Sequence, residues 1–219
     1  MRWLPLCLVA ACTLPNMPVQ PTLVRQQPYS RSVLSRGDVS FGSFHVAGFS
    51  SAADSQSERS DVLPEFLRHG SGWEDYSFRV EEDGQPPRAV RCSAEANSTS
   101  LHSGRTTVTS TSRSLRCALW LTPGSPELAR LELGDDGHGS LAAGGRTFAI
   151  EARNIQGKPD SVMPAGYAVT DGATELVVVQ HVNGGAVWLA PNVTNVNDRA
   201  LYAAAAAALL LYEPSAAQP

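Results

Sequence analysis

The chain has 219 residues with a formal net charge of −4, from 17 Lys or Arg against 21 Asp or Glu. At 42% hydrophobic and 17% charged residues it carries enough apolar material for a sizeable core, and its charge is too sparse and scattered for a nucleic-acid footprint or a disordered charged tail. No repeat of fixed period runs through it, and no cofactor is implied by any motif.

The chain opens on Arg2 followed by an apolar run from Trp3 to Ala11, the pattern of an export signal. Val9-Ala10-Ala11-Cys12 resembles the bacterial lipobox. That resemblance implies a signal peptide over residues 1–11, cleavage before Cys12, and acylation of the Cys12 thiol, so that the membrane is a partner through N-terminal acyl chains. Tens of buried methylenes at about 0.8 kcal/mol each make such an anchor essentially permanent. Thr13 follows the cysteine where inner-membrane retention favours Asp, so the same resemblance implies an outer-membrane lipoprotein of the bacterial cell envelope, its domain in the periplasm or at the surface. Residues 12–36 contain Pro15, Pro18, Pro21 and Pro28 and few large apolar side chains, which predicts an extended tether, or alternatively a segment packed along the domain as an edge.

Residues 37–213 are predicted to form one domain, followed by a tail at 214–219. Short apolar runs separated by turn residues dominate it, the mark of an antiparallel β barrel or a β sandwich. Tyr76, Phe78 and Val80 alternate with polar residues before Asp83-Gly84, and Leu115, Cys117, Leu119 and Leu121 alternate next. Leu131 and Leu133 precede a Gly134-Asp135-Asp136-Gly137 turn, and Phe148 and Ile150 follow Gly144-Gly145 as the return strand of a hairpin. Asn183-Gly184-Gly185 joins Leu176-Val177-Val178-Val179 to Ala186-Val187-Trp188-Leu189 as the strongest hairpin signal. The first of those runs is apolar on both faces, so one side should touch a central element and the other should be covered. Two Ser- and Thr-rich stretches, residues 50–60 and 98–114, read as loops or polar strand faces. Cys92 and Cys117 both point with the apolar side of their strands, and in an oxidising compartment they are expected to form a disulfide worth about 3 kcal/mol for a loop of roughly 25 residues.

The end of the chain is different. Residues 200–212 hold no polar side chain except two tyrosine hydroxyls, and Leu201, Ala206, Leu209 and Leu210 lie in different directions around a helix axis. Such a helix, about 198–212, must be buried on all sides. At about 14 residues it is short of the roughly 20 needed to cross a bilayer, so a protein core is its place. Asn197 or Asp198 is the expected cap, and Pro214 the stop.

Gly166-Tyr167, Asp171-Gly172, the valine run, Gly185-Ala186-Val187-Trp188-Leu189-Ala190-Pro191 and the apolar helix together resemble the tubby-like and LURP-one-related barrel superfamily. The resemblance covers residues 166–212. It implies a mainly β fold, an antiparallel β barrel or strongly curled sheet wrapped around one hydrophobic C-terminal α-helix, and an association with membranes or lipids. The basic cluster with which the animal proteins bind phosphoinositides has no counterpart here.

Signals for chemistry are weak. The five histidines, His45, His69, His102, His138 and His181, show no metal-ligand spacing, so no metal is expected. Gly48-Phe49-Ser50-Ser51-Ala52 only loosely imitates a nucleophile elbow, leaving a serine hydrolase as the least favoured reading. Asp135-Asp136 and Glu81-Glu82-Asp83 flank turn glycines and read as solvated turns. Trp120 and Trp188 read as packing residues, and Trp73 as either a strand-start plug or an exposed contact. No catalytic residue is assigned. Two non-enzymatic functions follow: binding a lipid or other hydrophobic ligand beside the helix, or serving as an accessory to another envelope protein.

Overall fold

The computed structural model describes residues 17–31, 37–59, 67–103, 106–122, 124–155, 164–182, 184–191, 193 and 195–212. The signal segment, Cys12 and Pro214 lie outside them. Thirteen strands form one antiparallel sheet: β1 (Val24–Arg25), β2 (Tyr29–Arg31), β3 (Val39–Phe41), β4 (Phe44–Arg59), β5 (Leu67–Glu82), β6 (Arg88–Ser103), β7 (Thr106–Trp120), β8 (Glu127–Leu133), β9 (His138–Ala143), β10 (Arg146–Arg153), β11 (Gly166–Asp171), β12 (Thr174–Gln180) and β13 (Ala186–Leu189). One helix, α1 (Val196–Leu211), follows.

From β2 to β13 each strand pairs with its neighbour in the chain, and β1 pairs with β13. The edges of the sheet are therefore β1 and β2, and among the described residues no ladder joins them. Of the expected barrel or curled sheet, the barrel is thus not closed, and the fold is one antiparallel sheet with one C-terminal helix. The two edges are linked by Gln26-Gln27-Pro28, and these residues bond to the strands on either side instead of to each other. The Gln26 N–H donates to Val187 O at 2.8 Å, and Pro28, which has no N–H to offer a ladder, accepts from Gly42 N at 2.9 Å.

Alternation places one face of the sheet in the core. Tyr76, Phe78, Val80, Leu115, Leu119, Leu131, Leu141, Phe148, Ile150, Val177 and Val179 are buried there together with α1. The helix is enclosed: residues 203–211 are each 0% exposed. It touches β5, β6 and β7 as well as β12 and β13. Among the described residues no helix is long and apolar enough to cross a membrane. The helix begins earlier than expected, because Asn195 is the cap, its side chain accepting from Asn197 N at 2.9 Å. Asp198 sits instead in the first turn, where its charge complements the positive end of the dipole. At the other end Tyr76 Oη donates to Ala208 O at 3.2 Å, satisfying one of the carbonyls that a helix terminus leaves over.

In two further places the sequence leaves two alternatives open, and the fold takes the second of each. Residues 17–31 are not a free tether. Met17 and Leu23 are buried with Ala165, Ala168 and Val178, while Val19 and Trp188 pack alongside. They cover the outer face of β11 and β12, which is the cover that an all-apolar valine strand requires. Hydrogen bonds hold the segment in place, from Gln20 N to Glu175 Oε2 at 2.9 Å and from Gln20 Nε2 to Ala173 O at 3.0 Å. The two Ser- and Thr-rich stretches are strand, extending β4, β6 and β7 to 15 or 16 residues. Between β8 and β10 lies β9, absent from the expected strand set and paired on both sides. It holds only Leu141 fully buried and needs Gly139, where a Cβ would lie 2.0 Å from Glu132 O.

Candidate functional site

Beside the first turn of α1 lies a cavity of about 430 Å³, lined by Arg88, Leu119, Leu121, Leu128, Ala143, Gly144, Arg146, Phe148, Asn197, Asp198 and Leu201. Its walls come from the end of β7, the starts of β6, β8 and β10, the β9–β10 turn and the first turn of α1. Leu119 and Phe148 form its buried side, and Leu121 and Leu128 its mouth, at 39% and 41% exposed. Leu128 is the extra residue of an irregularity in β8, between Glu127, opposite Trp120, and Ala129, opposite Leu119. Leu121 lies just past the end of β7. Leu121 and Leu128 thus leave two large apolar side chains exposed around one concavity.

The polar groups are fixed. Arg88 is 4% exposed; its Nη1 donates to Pro86 O at 2.7 Å and its Nη2 to Asn197 Oδ1 at 2.9 Å, tying the start of β6 to the first turn of the helix. Burial lowers its pKa from the ordinary value. Arg146 lies over the Phe148 ring at 4.8 Å and donates to Asp171 Oδ2 at 2.6 Å. Phe148 in turn meets Tyr202 edge to face at 5.9 Å. Among the described lining residues Asp198 is the only carboxylate, and Ser, Cys, His and Lys are missing. The arrangement offers an apolar slot with two oriented guanidinium groups.

Of the residues singled out from the sequence, Leu201 lines this cavity and is half-buried, not a full member of the core, whereas Ala206, Leu209 and Leu210 are wholly buried. Cys92 and Cys117 face one another across β6 and β7 and are joined as a disulfide. Cys12 falls outside the described residues. Gly48, at φ 62°, opens a bulge in β4, which then runs on as strand to Arg59; no strand-to-helix turn follows Ser50. Asp136 binds its own turn through His138 N at 2.9 Å, and Glu81 accepts from Arg79 Nε at 3.2 Å and faces His45. Glu82 Oε1 meets Arg199 at 2.8 Å and Ser43 Oγ at 2.7 Å. No group of three or more metal-ligating side chains occurs among the described residues. Trp120 and Trp188 are half-buried, the latter beneath the Arg25 guanidinium at 5.7 Å, while Trp73 lies inside β5 at 46% exposed.

His181, one of the five histidines without metal-ligand spacing, lies against Tyr167 at the far end of α1, with its Nε2 closed off from solvent. Burial, reinforced by the charge of Arg31, lowers its pKa from 6.5 to about 4. The folded state thus holds the neutral ring while the unfolded chain takes up a proton first, so this contribution is complete above pH 6.5 and is lost as the pH falls from 6.5 towards 4. The expected loss is on the order of 2 to 3 kcal/mol. Urea unfolding across that range should show it, and His181→Gln should flatten the dependence relative to wild type; parallel profiles would refute the assignment.

Comparison with protein-family models, with curated proteins and with solved structures finds no match to this chain, so its function is read from its residues and their geometry.

Proposed function

We propose that the protein is a non-enzymatic lipoprotein of a bacterial cell envelope, held by acyl chains on Cys12, and that it binds an aliphatic chain in the cavity beside the first turn of α1. In this reading the sheet wraps around the helix in the manner of the tubby-like and LURP-one-related domains that the C-terminal part of the sequence resembles. Support for the wrapping comes from α1 touching both β5 and β12, seven places apart in the sheet order. On a flat sheet those strands would be roughly 34 Å apart at about 4.8 Å per strand, far more than the 10–12 Å width of a helix.

The observation that carries the ligand reading is the pair of exposed leucines, Leu121 and Leu128, at the mouth of a cavity of about 430 Å³ whose floor is Leu119, Phe148 and Leu201. That volume lies within the roughly 300–1,000 Å³ of small-molecule sites. Arg88 and Arg146 at its side suit a chain with an anionic end, and Asp198 disfavours a second negative charge there.

The test is native mass spectrometry of the exported protein, released and transferred without detergent. A stoichiometric aliphatic mass is expected on the wild type, with occupancy at least tenfold lower in Leu128→Glu, because that substitution sets a charge in the mouth. The acyl mass on Cys12 is read in the same spectrum. A wild type that carries no ligand, and gains none when offered a fatty acid, would overturn the reading in favour of the accessory role, for which exposed Trp73 and the groove it shares with Asp75, Ser93, Glu95 and Asn97 would be the first surface to examine.

A further inference from the structure

The structure assigns a second binding site, for an oxyanion, to the C-terminal end of α1, where Arg113, Tyr167, His181 and Tyr212 converge. This inference does not rest on the hydrophobic-ligand reading, which concerns the other end of the helix.

The four side chains come from separate elements. Arg113 stands on β7 in phase with the inward residues Leu115, Cys117 and Leu119. Tyr167 comes from the buried face of β11, His181 follows the last residue of β12, and Tyr212 is the residue that ends the helix. The Tyr167 ring is 5.8 Å from the His181 ring and 6.3 Å from that of Tyr212. The charge of Arg113 acts on both tyrosine hydroxyls, and that of Arg31 on His181. Tyr167 and Tyr212 are 7% and 4% exposed.

Three polar atoms of this group, Arg113 Nε, His181 Nε2 and Tyr212 Oη, are shut off from solvent without a hydrogen-bond partner among the described residues. Buried polar atoms are nearly always paired, and an unpaired set gathered at one place calls for a reason. All three can donate: the guanidinium always, the phenol while its pKa stays raised by burial, and the imidazole in the tautomer that carries its proton on Nε2. What matches a set of donors beside a guanidinium is an acceptor-rich, negatively charged group. A cation is excluded by Arg113 and Arg31, and an apolar ligand would leave every donor unmet. The ligand class is therefore a carboxylate or phosphate group, as a free ion or as the headgroup of an amphiphile. The competing account is that Arg113 serves only the negative end of the helix dipole; it predicts no dependence on anions.

The measurement is thermal unfolding of the exported full chain against inorganic phosphate or decyl phosphate below its micelle concentration, with sodium chloride and decyltrimethylammonium chloride as controls. A saturable rise in Tm with a phosphate probe is expected, as binding to the folded state alone requires. The apparent Kd should weaken at least tenfold in Arg113→Gln and about threefold in Tyr212→Phe, the latter a substitution small enough to keep the fold. It should be unchanged in Leu128→Glu, which separates this site from the cavity at the other end of α1. Equal action of both probes identifies a free ion, and action of decyl phosphate alone identifies a headgroup. No saturable rise with either probe, the same rise in Tyr212→Phe and Arg113→Gln as in wild type, or an equal rise with chloride would overturn the assignment.

Discussion

Ala206→Asp is expected to abolish folding. Ala206 is 0% exposed, as are Ala203, Ala204, Ala205, Ala207 and Ala208 on either side of it, so no rotamer of an aspartate there reaches water. The carboxylate must stay charged without a partner, take up a proton, or push the helix away from the sheet. Each route costs several kcal/mol through desolvation, and the extra atoms in a packed interior add about 1–3 kcal/mol. Against a total stability of about 5–15 kcal/mol for an ordinary domain, that removes the native state. Ala206→Gly is the control: it costs about 1 kcal/mol of helix propensity with no buried charge and should still unfold cooperatively. A soluble Ala206→Asp protein with a two-state transition at the wild-type midpoint would refute the enclosed position of the helix.

That position was legible because the apolar residues of α1 point in all directions, and only complete burial accommodates such a pattern. Its starting residue was not, since Asn195, Asn197 and Asp198 are all good caps and the choice falls to whichever side chain the chain direction turns toward the free N–H groups. The two-faced valine run likewise announced that β12 would be covered on both sides. Nothing in residues 17–23 announced that they would be the cover, because a proline-rich run with isolated Met17, Val19 and Leu23 has no periodicity to mark it. The same limit left the outer parts of β4, β6 and β7 open between loop and polar strand, because serine and threonine occupy both faces and hydrophobic alternation is missing even though the ladders continue.

The cavity beside the helix was partly marked. Leu128 follows Glu127 and precedes the alternating Ala129, Arg130, Leu131 and Glu132, a large apolar residue at the point where the register of β8 shifts. Its neighbours were not readable, since Arg88 meets Asn197 across 109 residues and their meeting depends on where the helix enters the sheet. The polar group at the other end of α1 is harder still. Arg113 lies in a serine-rich stretch and His181 beside a turn, and only the register of β7, β11 and β12 brings them to the end of the helix where Tyr167 meets both His181 and Tyr212.

Removal of the disulfide should produce the second largest loss. Cys92 and Cys117 are directly opposed on β6 and β7, 1% and 2% exposed, and separated by 25 residues in the chain. Cross-linking a loop of that length withdraws about 3 kcal/mol of conformational freedom from the unfolded chain. Because the site is paired along the whole ladder, the folded state of a Cys92→Ala, Cys117→Ala variant should keep its register. The loss then falls mainly on the unfolded side, at about 3 kcal/mol from the cross-link plus about 1 kcal/mol for two small cavities. With a urea slope of about 1–3 kcal/mol/M, the midpoint should move down by at least 1 M, and the slope itself should rise as the unlinked chain expands. Urea unfolding of wild type and variant, each without reductant, measures both. A reductant alone should leave the folded wild type intact, since both sulfurs lie inside the core, and should act on it only at denaturant concentrations where the sheet opens. A loss below about 1 kcal/mol would mean that the bond is incidental to the stability of the fold.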